Sequence, residues 1–295
     1  MNKNIIMEKF FEKYEDAYQQ IPQFDVSSIK QQYDIDTLKN IFSCIDLTSL
    51  NTDDSYDSIE KFCEKVKIFP NTFEDILNVA AVCAFSKYAL VLKKSLIDTD
   101  IKRAVVSGGF PTSQTTIQCK IDETCDAITD GADEIDVVIS VGEFLNKKYE
   151  YVNKEIYALK IKMKSAKLKV ILETGMLKTP ENIWKASLLA MESGADFIKT
   201  STGKHAISAT PEAVWIMAHA IKAFNEKNGK NIGIKPSGGI VTVDDAMIYW
   251  SIVKNVLGEN YLNKNLFRFG ASRLANNLLT EIEKLKGSGK IVNYF

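Results

Sequence analysis

The run Ala195-Asp196-Phe197-Ile198-Lys199-Thr200-Ser201-Thr202-Gly203-Lys204 decides the fold. Its apolar start, Phe197–Lys199, is too short for a helix and reads as a strand. Side-chain alternation then places Lys199 on the same face as Phe197. The pattern returns in Gly233-Ile234-Lys235-Pro236-Ser237-Gly238-Gly239, where a short apolar run again ends in a lysine. Between the two lies Pro211–Phe224, which has helical periodicity. The unit is strand, helix, strand.

Working outward, the same rhythm extends in both directions. Further strands are expected at Ile41–Ile45, Val79–Phe85, Arg103–Ser107, Glu134–Ile139 and Lys169–Leu172, and a last one at Leu266–Phe269. Amphipathic helices are expected at Ser55–Val66, Thr115–Asp130, Tyr149–Lys164, Pro180–Glu192, Val243–Leu257 and Ser272–Lys286. Parallel strands need crossover helices, and about eight such units over ~250 residues fit a closed (β/α)8 TIM barrel. An open doubly wound sheet is disfavoured, because no G-x-G-x-x-G follows the first strand. Residues 1–40 read as an N-terminal helical extension, 41–286 as the barrel and 287–295 as a tail. In the extension, Ile6, Phe10, Phe11, Tyr14 and Tyr18 fall near helical spacing until Pro22, which suggests a helix capping one end of the domain.

Composition narrows the chemistry. The 295 residues carry 37 basic and 38 acidic side chains, so no long-range field attracts nucleic acid or an anionic membrane. Five cysteines without a CxxC pair argue against a disulfide framework or a thiolate metal site. With Lys3, Glu8, Lys9, Glu12 and Lys13 near its start, the chain shows no signal-peptide core, and a soluble cytoplasmic setting is expected. Two histidines, His205 and His219, are too few for the imidazole sets that catalytic zinc prefers. No metal or organic cofactor is expected.

In a barrel of this kind the active site lies at the carboxyl ends of the strands. Lys199, Lys235 and Asp136 are charged residues on three strands that converge there. One strand-end lysine is ordinarily a solvated rim residue. Three charged groups aimed at one mouth call for more. Neighbouring strands lie ~4.8 Å apart, so ammonium groups at 199 and 235 would repel each other. Repulsion and desolvation would lower the pKa of one amine and leave it nucleophilic. Such an amine condenses with a carbonyl, and the resulting iminium draws electrons from a neighbouring C–C bond. The glycines of Ser237-Gly238-Gly239, Gly270-Ala271-Ser272 and Gly203 follow strands six to eight, where barrels frequently hold phosphate.

Asp46-Leu47-Thr48, Asp133-Glu134-Ile135-Asp136-Val137-Val138, the run Phe197–Lys204 and Lys235-Pro236-Ser237-Gly238-Gly239 together resemble the deoxyribose-phosphate aldolases, over residues 40 to 280. The resemblance implies that Lys199 forms the Schiff base, that Lys235 perturbs it and that Asp136 relays protons. It implies phosphate contacts at Gly203, Lys204, Gly238, Gly239, Gly270 and Ser272. Asp46 and Thr48 would line the substrate pocket, with Cys83 packed nearby. The substrate implied is 2-deoxy-D-ribose 5-phosphate, and the assembly a homo-oligomer, a dimer being the expectation. Arg273 stands where the family often has serine, Met176 where it often has glutamate, and the tyrosine that some members place in the site falls at penultimate Tyr294. Two other readings remain at this point: a Schiff-base barrel acting on keto sugars or keto acids, and a barrel that only binds ligand.

Overall fold

The computed structural model describes residues 5–29 and 33–295. Residues 1–4 and 30–32 of the expected extension, Lys3 among them, lie outside the described residues. The chain runs α1 (Ile5–Glu12), α2 (Glu15–Gln19), α3 (Ile35–Ser43), β1 (Ile45–Thr48), α4 (Tyr56–Ile68), β2 (Ala81–Phe85) and α5 (Ala89–Ser95). It continues with β3 (Lys102–Ser107), α6 (Ile117–Thr129), β4 (Glu134–Val138), α7 (Val141–Leu145), α8 (Tyr149–Lys160), β5 (Lys167–Ile171) and α9 (Thr174–Leu177). The last third holds α10 (Pro180–Glu192), β6 (Phe197–Lys199), α11 (Pro211–Asn228), β7 (Gly233–Lys235), α12 (Val243–Leu257), β8 (Phe269–Ala271) and α13 (Arg273–Leu285).

Local chemistry starts the wall helices. Thr116, Thr179 and Thr210 each accept a backbone N–H of the first turn of α6, α10 and α11, and proline occupies the first turn of the latter two. Ser55 and Thr242 form capping boxes with Ser58 and Asp245. The strands pair in parallel in the order β7-β6-β5-β4-β3-β2-β1-β8. Parallel bridges Ile234↔Phe267 and Ser237↔Gly270, with Arg268 N–H donating to Ile234 O at 3.0 Å, close β8 onto β7. The sheet is thus a complete (β/α)8 barrel. The main core lies between strands and helices, and no helix of the described residues is long and apolar enough to cross a membrane.

Several elements differ from the sequence reading: β8 spans Phe269–Ala271 rather than Leu266–Phe269, and β2 starts at Ala81 rather than Val79. The apolar run Ile41–Ile45 is mostly the last turn of α3, which begins at an Asp34 cap, so β1 starts only at Ile45. Helix α5, with seven residues, was not anticipated at all. The N-terminal segment does not cap an end of the barrel. It lies along the wall formed by α8, α10 and α11. Phe11 meets Tyr149 edge-on at 5.2 Å, Tyr18 packs on Trp184, and Trp215 donates its indole N–H to Pro22 O at 2.9 Å. Aromatic side chains on those helices give the segment its apolar partner.

The barrel interior is divided. On β2 and β3, Ala81, Cys83, Ala104 and Val106 form a small apolar cluster with Leu50. On the other strands the interior holds long charged side chains, and glycines make room for them. A Cβ on Gly233 would fall 2.2 Å from the Phe197 ring. One on Gly270 would fall 2.5 Å from Ser237 Cβ and 3.1 Å from Lys235 Cε.

Candidate active site

Strand register sets the level of the charged groups. Lys199 is the direct partner of Lys235 across β6 and β7, and Asp136 of Lys169 across β4 and β5. Lys199 and Lys235 each donate to the same oxygen, Oδ2 of Asp136, both at 2.8 Å. Oδ1 of Asp136 accepts no hydrogen bond from the described residues and lies 3.5 Å from Lys169 Nζ.

A second layer supports the first. Asp46 Oδ2 receives Lys235 at 2.6 Å and Lys169 at 2.8 Å, and its Oδ1 receives Arg268 at 2.5 Å. Arg268 also reaches Glu134 at 2.9 Å, and Lys169 pairs closely with Glu134. All seven side chains are buried. Four basic groups (Lys169, Lys199, Lys235 and Arg268) therefore face three carboxylates (Asp46, Glu134 and Asp136). Full protonation would leave one uncompensated charge in a dry interior, which is costly.

The surplus settles on Lys199. Its burial favours the neutral amine, Asp136 opposes this, and the Lys235 charge adds to the lowering, so its pKa falls below that of an ordinary lysine. Burial works against Lys235 too, but Asp136 and Asp46 outweigh it and hold that ammonium well above the usual range. Lys169 and Arg268 are likewise driven up, each by its carboxylates against its burial. Burial would raise the Asp136 carboxyl, yet Lys169, Lys199 and Lys235 prevail and keep it ionised far below ordinary carboxylates. Repulsion between two lysines is therefore the smaller cause. Desolvation is the larger one.

Above Lys199 a cavity of about 200 Å³ opens at the carboxyl ends of the strands. Lys199, Thr48, Gly203, Lys204, Gly238, Gly239, Gly270 and Ser272 all line it. Asp46 and Cys83 do not. Asp46 belongs to the ion-pair layer below, and Cys83 is buried in the small apolar cluster, where burial raises its thiol. Gly203, Gly238 and Gly239 have φ of 76°, 84° and 81°, and Gly203 and Gly238 touch: a Cβ on Gly238 would meet Gly203 Cα at 2.9 Å. Only glycine permits that approach. Ser272 precedes α13 and makes no side-chain cap, so the first amides of that helix remain available to an anion, and Arg273 lines the same cavity.

Tyr294 lies elsewhere. It packs edge-on against Phe69 and Phe73 and donates its hydroxyl to Lys65 O at 2.9 Å, on the helical shell. Met176 is partly exposed and is not among the cavity-lining residues. The sequence reading missed Lys169, Glu134 and Arg268. A signal existed: Glu134 stands two residues before Asp136 on β4 and therefore on its face, and Lys169 alternates with the buried Leu168 and Val170. Among the described residues no cluster of His, Cys, Asp and Glu could hold a metal ion.

A buried amine of lowered pKa beside an ionised carboxylate, under a cavity with an anion cradle, can condense with a carbonyl of a phosphorylated molecule. The comparisons with known proteins agree in kind. The model of the DeoC/LacD family aldolases matches residues 43–274. A deoxyribose-phosphate aldolase from Homo sapiens is 37% identical over 266 residues, covering 86% of this chain and 83% of that one. A solved structure described as "QR15, an Aldolase" is 27% identical with a TM-score of 0.67, over 83% of this chain and 96% of that one. A tetrameric deoxyribose phosphate aldolase from Aeropyrum pernix shares the fold at 21% identity and a TM-score of 0.67, over 90% and 97%.

Proposed function

The chain belongs to the DeoC/LacD family of aldolases, and on that premise we propose that it reversibly cleaves 2-deoxy-D-ribose 5-phosphate to acetaldehyde and D-glyceraldehyde 3-phosphate through an imine on Lys199. The observation that carries this reading is the uneven charge count beneath the cavity, with burial lowering the pKa of the amine nearest the opening while its neighbours are driven up. The substrate is the one named for the human relative, with which this chain aligns over most of its length.

The open-chain aldehyde carbon accepts the lone pair of Lys199 Nζ, and the carbinolamine so formed takes up a proton on its hydroxyl and loses water to give the iminium. A base removes the proton of the C3 hydroxyl as the C2–C3 bond breaks. The bonding pair moves into the C1–C2 position, giving a neutral enamine on Lys199 and releasing D-glyceraldehyde 3-phosphate. Protonation at C2 and hydrolysis then free acetaldehyde and the amine. Asp136, with its unengaged Oδ1, is the group we assign to these proton movements, and Lys235 stays charged to hold Asp136 ionised. The phosphate dianion would sit on the glycine turns and the start of α13, with Lys204 and Arg273 at the rim.

Borohydride added with deoxyribose 5-phosphate or acetaldehyde tests this directly. Peptide mapping by mass should find one reduced adduct, on Lys199, formed equally well with a chelator present. Inactivation that maps to any other lysine, or no adduct at all, removes the reading.

A further inference from the structure

Resting on that reading, we infer that Glu173, which touches no substrate, is the positioning residue that presents the phosphate-gripping turn Thr202-Gly203-Lys204. Glu173 follows β5 and adopts a left-handed backbone, φ 56° and ψ 57°. It is also buried, 1% exposed. A side chain other than glycine is strained in that conformation, and burying a carboxyl group adds a further cost. Both costs fall on one residue, directly behind the cavity wall.

The hydrogen bonds show what that residue holds. Thr202 donates its backbone N–H to Glu173 Oε1 at 3.2 Å and its hydroxyl to Oε2 at 2.7 Å. The same hydroxyl oxygen accepts the backbone N–H of Lys204 at 3.1 Å. One side chain thereby fixes two residues of the turn, and the turn in turn supports Gly238 through the close contact with Gly203. Lys204 completes the clasp by donating Nζ to Leu50 O at 2.6 Å. His205 Nε2 lies 3.8 Å from Glu173 Oε2 with its side chain 40% exposed, too distant and too wet to account for the burial of that carboxyl group. Thr202, Gly203 and Lys204 all line the cavity, and Glu173 does not.

A general structural role would harm turnover of every substrate alike. A positioning role harms the phosphate end selectively. Glu173→Gly keeps the left-handed backbone without strain and removes the carboxylate, whereas Glu173→Gln keeps an acceptor oxygen. The ratio of kcat/KM for deoxyribose 5-phosphate over unphosphorylated deoxyribose should fall about 10- to 100-fold in Glu173→Gly, mostly through KM, and recover substantially in Glu173→Gln. Inorganic phosphate, titrated into wild type and Glu173→Gly, should bind more weakly by a similar factor. An unchanged ratio with unchanged phosphate binding overturns the inference, as does equal loss on both sugars. Should Glu173→Gly fail to fold, the same ratio is read on Thr202→Val, which cuts the link to Lys204: selective loss supports the inference, equal loss overturns it. If wild type does not turn over deoxyribose 5-phosphate, the substrate reading above falls, while the phosphate titration still decides the role of Glu173.

Discussion

Lys199 differs from Lys169 and Lys235 less in burial than in company. Lys169 faces three carboxylates and Lys235 two, while Lys199 has only Asp136, which it shares. A lysine whose pKa is lowered on folding binds fewer protons in the native chain than in the unfolded one. Its burden on stability is therefore present at neutral pH and fades as pH rises toward the ordinary lysine range. Lys199→Met should accordingly lose at least ~10³-fold in kcat, yet melt about 2–4 °C higher at pH 7, by calorimetry. A lower melting temperature would contradict the assigned burden. Lys235→Met has the opposite logic. Removing that cation takes away a repulsion and frees Asp136 to pair with Lys199, and both changes raise the Lys199 pKa. The acid limb of the kcat/KM profile should move to higher pH than in wild type, and a shift to lower pH would refute the coupling.

At the scale of elements, register and glycine placement decide what the barrel can hold. Gly270→Ala puts a Cβ against Ser237 and the Lys235 arm, so it should cost about 1–3 kcal/mol in denaturant unfolding and reduce turnover. Gly239→Ala meets nothing within 4 Å and carries only the left-handed backbone cost, about 1 kcal/mol. Equal behaviour of the two would argue against a crowded interior at Gly270. The strands that bear Lys199 and Asp136 were legible because apolar alternation is a local property, and β6 was read to the residue. Ile41 and Phe42 misled because four apolar residues fit a strand or a helix turn equally, and the Asp34 cap that resolves the choice lies seven residues upstream of Ile41. The ion-pair layer was illegible for another reason. Asp46 meets Arg268 across 222 positions and Lys169 across 123, and no local pattern encodes such pairings. Glu173 hid similarly, since a left-handed glutamate has no sequence signature.

The whole molecule is fastened at both ends by chain outside the barrel. The tail after α13 returns along that helix: Val292 N–H donates to Thr280, and Tyr294 and Phe295 both donate N–H to Asn276 Oδ1. Phe295 stacks on Phe69 at 5.6 Å. Deleting residues 287–295 should lower stability by about 2–5 kcal/mol through lost aromatic burial, with KM for substrate unaltered, because none of these residues reaches the cavity. A raised KM in the truncated chain would show instead that the tail serves the site. Closure of eight strands also gathers bases and acids from β1, β4, β5, β6, β7 and the segment entering β8 into one enclosed space, and that inequality has a second effect. On the proposed mechanism, a Lys199 shifted toward its neutral amine would become an iminium, which adds a positive charge to that space. The enclosure would tolerate that intermediate poorly, and rupture of the sugar's C2–C3 bond would discharge it as a neutral enamine. By that mechanism, the same crowding that lowers the Lys199 pKa would push a bound sugar toward fragmentation.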